Sequence, residues 1–197
     1  MMAKNSDALS YLAKPDKKDI PADLQQEFAR HKTFQQENWG FINHLFDILP
    51  LNAYQYKAFL DFKAALFDET RCYLSNIDKE MIGLVVSSTN HCAYCLTTHS
   101  DTLRGLTNDP AWVDQLTYNY RIAKLTKKQR ALCDYAYTVT KAPDAMEAQH
   151  VQILRNAGCS DHEILEASFI AGFFNFTNRF VSTIGAQPNA GHYSHNR

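Results

Sequence analysis

The chain has 197 residues, 45% of them hydrophobic and 21% charged, the balance of an ordinary globular protein with enough length for one substantial core. Its 20 basic and 21 acidic side chains leave a formal charge of −1, which excludes the strong field that gathers nucleic acid or an anionic membrane surface. No run approaches the ~20 apolar residues that span a bilayer. Met1 to Lys18 lacks the apolar stretch of a signal peptide, so a cytoplasmic location is expected.

Residues 1–20 carry charge and few large apolar side chains, and read as an arm. Pro21 suits a first helical turn, and Leu24, Phe28 and Ala29 share one face of a helix over Ala22 to Gln36. Phe41 to Leu49 is a short apolar piece ended by Pro50. Asn52 is placed to cap a helix reaching Phe67. Asp78 is predicted to cap the next, Lys79 to about Ser88. A helix from Cys92 to about Leu106 follows, closed by Gly105 and the turn-prone Asn108-Asp109-Pro110. Residues 110–120 form a further short helix.

Three capping boxes then mark helix starts: Thr126 with Gln129, Asp144 with Glu147, and Ser160 with Glu163. The second helix ends at Gly158, which suits a left-handed position, and the third is long, running to about Thr183. Its apolar stretch, Ile164 to Phe176, is interrupted by Glu166, Ser168 and Asn175. No β alternation is visible. The expectation is an all-α fold, a single helical domain over 21–186, with 187–197 as a polar tail.

The five cysteines are Cys72, Cys92, Cys95, Cys133 and Cys159, an odd and sparse set that is not a disulfide scaffold. Only Cys92 and Cys95 are close in sequence. On a helix each residue turns about 100°, so Cys92, Cys95 and His99 fall on one face, within about 60° of one another in steps. The two sulfurs are neighbours at i and i+3, and His99 lies one turn below Cys95.

This arrangement suits thiol chemistry. A free cysteine has a pKa near ~8.5, and lowering it to about 6 raises the thiolate fraction at neutral pH roughly thirty-fold. A helix start, a nearby imidazole and a second thiol all act in that direction. Attack on a peroxide leaves a sulfenic acid, and a second thiol one turn away converts it to a disulfide before further oxidation. Glu80 lies in the preceding apolar helix, where a carboxylate held inside can orient His99.

The spacing Glu80-x(11)-Cys92-x-x-Cys95-x(3)-His99 resembles the signature of AhpD-like alkylhydroperoxidases of the carboxymuconolactone decarboxylase family. Leu125 to Leu132, Leu154 to Asp161 and Phe174 to Phe180 resemble its peroxidase-related branch. The likeness covers about residues 40 to 185. It implies an all-helical protein that oligomerises as trimers or hexamers and needs no cofactor. It implies Cys95 as the peroxide-attacking thiol, Cys92 as proton donor and resolving thiol, and Glu80 with His99 as proton relay. The partners implied are a hydroperoxide and an external thiol or dithiol reductant. Some members carry a histidine between the cysteines where this chain has Tyr94. Tyr94 and His91 are therefore candidate pocket or relay residues.

Other readings are weaker. A zinc site wants a fourth ligand, usually from a second pair, and His192 and His195 lie in the polar tail at the wrong spacing. Covalent haem attachment is excluded because Leu96 follows Cys95. Decarboxylation of a carboxymuconolactone-type lactone needs a proton relay but no dithiol. A thiol redox sensor would be oxidised without turnover. Cys72, Cys133 and Cys159 read as packing residues.

Overall fold

The structure is a computed structural model that describes residues 9–197. The expected arm falls partly outside that range. Among the described residues there are nine α-helices and no strand, so the all-α expectation holds. They are α1 (Ala22–Trp39), α2 (Leu45–Ile48), α3 (Ala53–Phe67), α4 (Asn76–Thr89), α5 (Ala93–Thr107), α6 (Pro110–Asn119), α7 (Lys127–Lys141), α8 (Ala148–Asn156) and α9 (Asp161–Thr183). None of them is long and apolar enough to cross a membrane.

The core is built around α4. Lys79 to Ser87 are all buried, and α5, α6, α7 and α9 pack against this helix from different sides. A helix covered all round has no need of a polar stripe, which explains the run Met81-Ile82-Gly83-Leu84-Val85-Val86. At Gly83 the Phe174 ring of α9 packs directly on the α4 backbone: a Cβ there would lie 2.3 Å from the ring.

The polar interruptions in α9 are each answered by a polar partner on a neighbouring element. Glu166 pairs with the fully buried Lys79 at 3.2 Å and accepts the backbone N–H groups of Tyr73 and Leu74 at 2.8 and 2.9 Å. Ser168 bonds the Tyr135 hydroxyl at 2.8 Å. Asn175 Oδ1 accepts from Asn90 at 3.0 Å. An apolar helix that carried these groups unpaired would be costly to bury.

Two of the three expected capping boxes are present, Thr126 with Gln129 on α7 and Ser160 with Glu163 on α9. The third is displaced. Pro143 opens a short 3-10 turn at Pro143–Ala145, and α8 starts after Glu147, whose partner is His150. The start of α4 also differs: Ser75 is its cap, accepting the Asp78 N–H at 3.1 Å, so Asp78 sits inside the first turn. At the other end of α5, Asn108 takes the left-handed position at φ 51°, with Gly105 inside the helix.

The terminal residues are polar in composition yet docked. Asn189 Oδ1 accepts the His44 N–H at 2.9 Å, and Arg104 in α5 donates to the His192 carbonyl at 2.7 Å. Tyr11 and Gln187 make backbone bonds to Ile184 and Leu9, tying residues 9–11 to the end of the chain.

Candidate active site

The junction of α4 and α5 sets the position of the thiols. The His91 N–H donates to the Ser88 carbonyl at 3.2 Å and the Cys92 N–H to the Ser87 carbonyl at 3.0 Å. These are the paired bonds of a Schellman closure, with His91 in the left-handed position at φ 56°. Cys92 ends that closure and at the same time caps α5: its Sγ accepts the Cys95 N–H at 3.4 Å. A polar seam from α9 braces the turn. Asn90 donates to Asn175 and Asn178 at 3.0 Å each, and Asn178 donates to the Ser87 hydroxyl at 3.1 Å.

The two sulfurs lie 2.9 Å apart as free thiols, and both residues are buried. The contact is a hydrogen bond between the two sulfurs, and ionisation of Cys92 makes Cys95 its donor. The Cys95 thiol donates to Cys92, and the Cys95 N–H, the Ser182 hydroxyl and the His99 charge favour the same thiolate; together they outweigh burial and bring Cys92 down to about 6. Cys95 is pushed well up, first by the neighbouring Cys92 sulfur and then by burial. Helix-start N–H groups oriented at a sulfur favour its anion.

His99 Nδ1 lies 2.7 Å from Glu80 Oε2. Glu80 is buried in α4 and His99 is half-buried in α5, so the two packed helices bring them together across 19 residues of sequence. The Phe174 ring stands edge-on to the imidazole at 4.6 Å and fixes its plane. With Nδ1 on the carboxylate, Nε2 is left for a further partner.

Cys95, His99, Glu80 and Tyr94 line one cavity of about 230 Å³, whose apolar wall includes Phe46, Phe59, Phe67 and Phe173. Of the two cysteines, Cys95 lines the cavity and Cys92 does not. Tyr94 holds the wall by donating to Asn43 Oδ1. His91 is a correction. It is exposed, lines a separate groove with Tyr118, Arg121 and Tyr137, and its part is to take the left-handed turn position that a helix-to-helix closure requires.

Sequence reasoning missed several residues. Asn178 and Ser182 touch the sulfurs from α9. Lys63 lines the cavity with its ammonium 5.6 Å above the Phe46 ring; burial lowers its pKa and Glu80 opposes that. His192 reaches the cavity from the C-terminal segment. The helical period of α3 and α9 gave a faint sign of the first three, and nothing local marked His192. Among the described residues no cluster of three or more His, Cys, Asp or Glu side chains is arranged to hold a metal ion.

The sequence profile of the carboxymuconolactone decarboxylase family matches the chain in two overlapping stretches, residues 55–119 and 110–186. The chain belongs to the carboxymuconolactone decarboxylase family. The first stretch holds the whole Glu80, Cys92, Cys95 and His99 constellation, and the second holds α7 to α9, which pack behind it.

Solved structures place this family member on the AhpD-like side. It is similar to an uncharacterized peroxidase-related protein from Silicibacter sp. TM1040, with a TM-score of 0.89 and 31% identity over 100% of both chains. It is also similar to an alkylhydroperoxidase AhpD core protein, peroxidase-related and uncharacterized, from Ralstonia eutropha JMP134. There the TM-score is 0.88 and the identity 29%, over 96% of this chain and 97% of that one. The debrominase Bmp8 shares the fold, with a TM-score of 0.76 at 16% identity over 95% of each chain. No match is found among curated proteins.

Proposed function

We propose that this protein is a thiol-dependent peroxidase that reduces hydrogen peroxide or small organic hydroperoxides through Cys92 and Cys95. One observation carries the reading: a cysteine that lines the cavity belongs to a paired, free dithiol, and a carboxylate-held imidazole lines the same cavity.

At rest the pair holds one proton on Cys95 and a thiolate on Cys92, and the other proton is held by the relay of His99 and Glu80, whose side chains lie 2.7 Å apart. Proton transfer across the 2.9 Å contact moves the charge to Cys95. The Cys95 thiolate attacks the terminal oxygen of ROOH, the O–O bond breaks, and RO⁻ takes the proton now on Cys92. That leaves Cys95 as a sulfenic acid and Cys92 as a thiolate. Cys92 then attacks the Cys95 sulfur, the S–O bond breaks, and the departing hydroxide takes the His99 proton and leaves as water. The products are ROH, water and a Cys92–Cys95 disulfide. An external thiol or dithiol reductant reopens it by exchange.

The aromatic wall of the cavity favours an organic R group over a bare peroxide. The exposed apolar side chains Phe62, Leu165, Phe169 and Phe176 on α3 and α9 support self-association of the chain, which sedimentation measures directly.

The test is turnover of hydrogen peroxide, tert-butyl hydroperoxide and cumene hydroperoxide with monothiol and dithiol reductants. Catalytic loss of hydroperoxide is expected with the native chain and none with Cys95→Ser. A single stoichiometric burst identifies a redox sensor instead. Lactone decarboxylation that survives both Cys92→Ser and Cys95→Ser overturns the thiol mechanism.

A further inference from the structure

The C-terminal segment carries a second imidazole–carboxylate pair to the cavity. His192 is only 2% exposed, and its Nδ1 lies 2.6 Å from Asp101 Oδ2. Asp101 is in α5, two residues after His99, and is 1% exposed. It is well supplied with donors, accepting also from His195 Nδ1 and Asn196 Nδ2 at 3.0 Å each. The Phe41 ring stands edge-on to the His192 imidazole at 4.7 Å, and Arg104 holds the His192 carbonyl at 2.7 Å. Ring, backbone and Nδ1 are therefore all fixed.

What is left is Nε2. With a carboxylate on the other side of the ring, Nδ1 carries the hydrogen and Nε2 presents its lone pair. This buried nitrogen has no hydrogen-bond partner among the described residues, and His192 lines the same cavity as Cys95 and His99. Buried polar atoms without partners are rare, and one held this rigidly beside a cavity calls for a partner from within it, an ordered water or a ligand.

We propose that His192 is a substrate-binding residue whose Nε2 accepts the hydrogen of an O–H group on the bound substrate, a role that for a hydroperoxide rests on the peroxidase reading. In ROOH that hydrogen sits on the terminal oxygen, the one a thiolate attacks. A bond from it to Nε2 orients the O–O axis and leaves the far side of that oxygen open. The two imidazoles of the cavity then divide the work. His99 moves protons beside the sulfurs, and His192 recognises the substrate's O–H. Substrates without a donor hydrogen lose this contact.

Cumyl alcohol and cumyl methyl ether test this directly, because neither is reduced by thiols and they differ only in the methyl group that replaces the hydroxyl hydrogen. Their affinities are measured on the full, reduced chain, with the His192 ring nitrogens followed by long-range proton–nitrogen NMR. The alcohol is expected to bind about tenfold more tightly than the ether and to shift the Nε2 resonance, which the ether leaves in place. In His192→Phe, which keeps a ring against Phe41, the preference is expected to vanish, and in His192→Gln to survive in part. Equal binding of alcohol and ether to the native chain, or an unmoved Nε2 resonance, overturns the proposal; the native-chain result decides even where the variants fold poorly. Preference for the alcohol without turnover of any hydroperoxide leaves the O–H site standing and removes the peroxidase reading. Turnover without that preference does the reverse.

Discussion

The ionisation of Cys92 is the property most open to direct measurement. A thiol with a pKa near 8.5 is about 3% ionised at pH 7, whereas one at about 6 is about nine-tenths ionised. Absorbance at 240 nm should therefore show one thiolate step centred near pH 6. The remaining thiols do not obscure it, because burial holds Cys72, Cys133 and Cys159 up, and Cys95 is held up by Cys92. The perturbation is Cys95→Ala, which removes the largest cause of the shift, the hydrogen bond from the Cys95 thiol. A hydrogen bond to a charged group contributes about 1.5–3 kcal/mol, or about one to two pKa units, so the step should move to between about 7 and 8.

Stability follows the same linkage. Because the folded pKa is depressed, the Cys92 contribution is fully present above pH 8.5, amounts to about 1 kcal/mol at pH 7, and is lost as the pH falls through 6. A native step at pH 8 or above, or an identical midpoint in native and Cys95→Ala proteins, refutes the account of Cys95 as donor to Cys92.

Three further outcomes are expected. Glu166→Ala strands the fully buried Lys79 ammonium and two backbone N–H groups, and should cost about 3–5 kcal/mol in denaturant unfolding. Gly83→Ala drives a methyl group into the Phe174 ring, and the overpacking, about 1–3 kcal/mol, should exceed the roughly 1 kcal/mol that alanine gains in a helix; the His99 ring signals should shift with the displaced phenyl edge. His91→Gly should leave turnover unchanged and keep or raise stability by up to about 1 kcal/mol, while His91→Val should lower it by about 1–2 kcal/mol, read as shifts in the unfolding midpoint.

The thiol site was legible in the sequence because its members obey local rules. Cys92, Cys95 and His99 repeat at helical spacing, and Glu80 lies one helix back in a segment too apolar for an idle carboxylate. The α7 and α9 boxes were equally legible, since Thr126 and Ser160 face no competing cap. Near α4 the sequence reading took Asp78 as the cap, whereas the folded backbone starts the helix three residues earlier, after Ser75. Near α8 the proline at 143 imposed its own short turn before the helix could start. His192 stayed hidden for a different reason. It lies 91 residues from Asp101, in a stretch whose polar composition describes solvent-facing chain well, and only docking against α5 turns it inward. For His91, proximity to Cys92 in sequence says nothing about direction: at φ 56° between two helices it is exposed and lines a different groove.

Cys92 belongs to two helices at once, closing α4 and capping α5. That double duty sets the oxidising strength of the pair. The hydrogen bonds that favour the Cys92 anion act on the dithiol form and are largely lost to a sulfur tied up in a disulfide. Every contact that sharpens the thiolate therefore also tilts the couple toward reduction and raises its potential. On the proposed peroxidase cycle, a dithiol favoured in this way leaves the disulfide open to reduction by mild thiols.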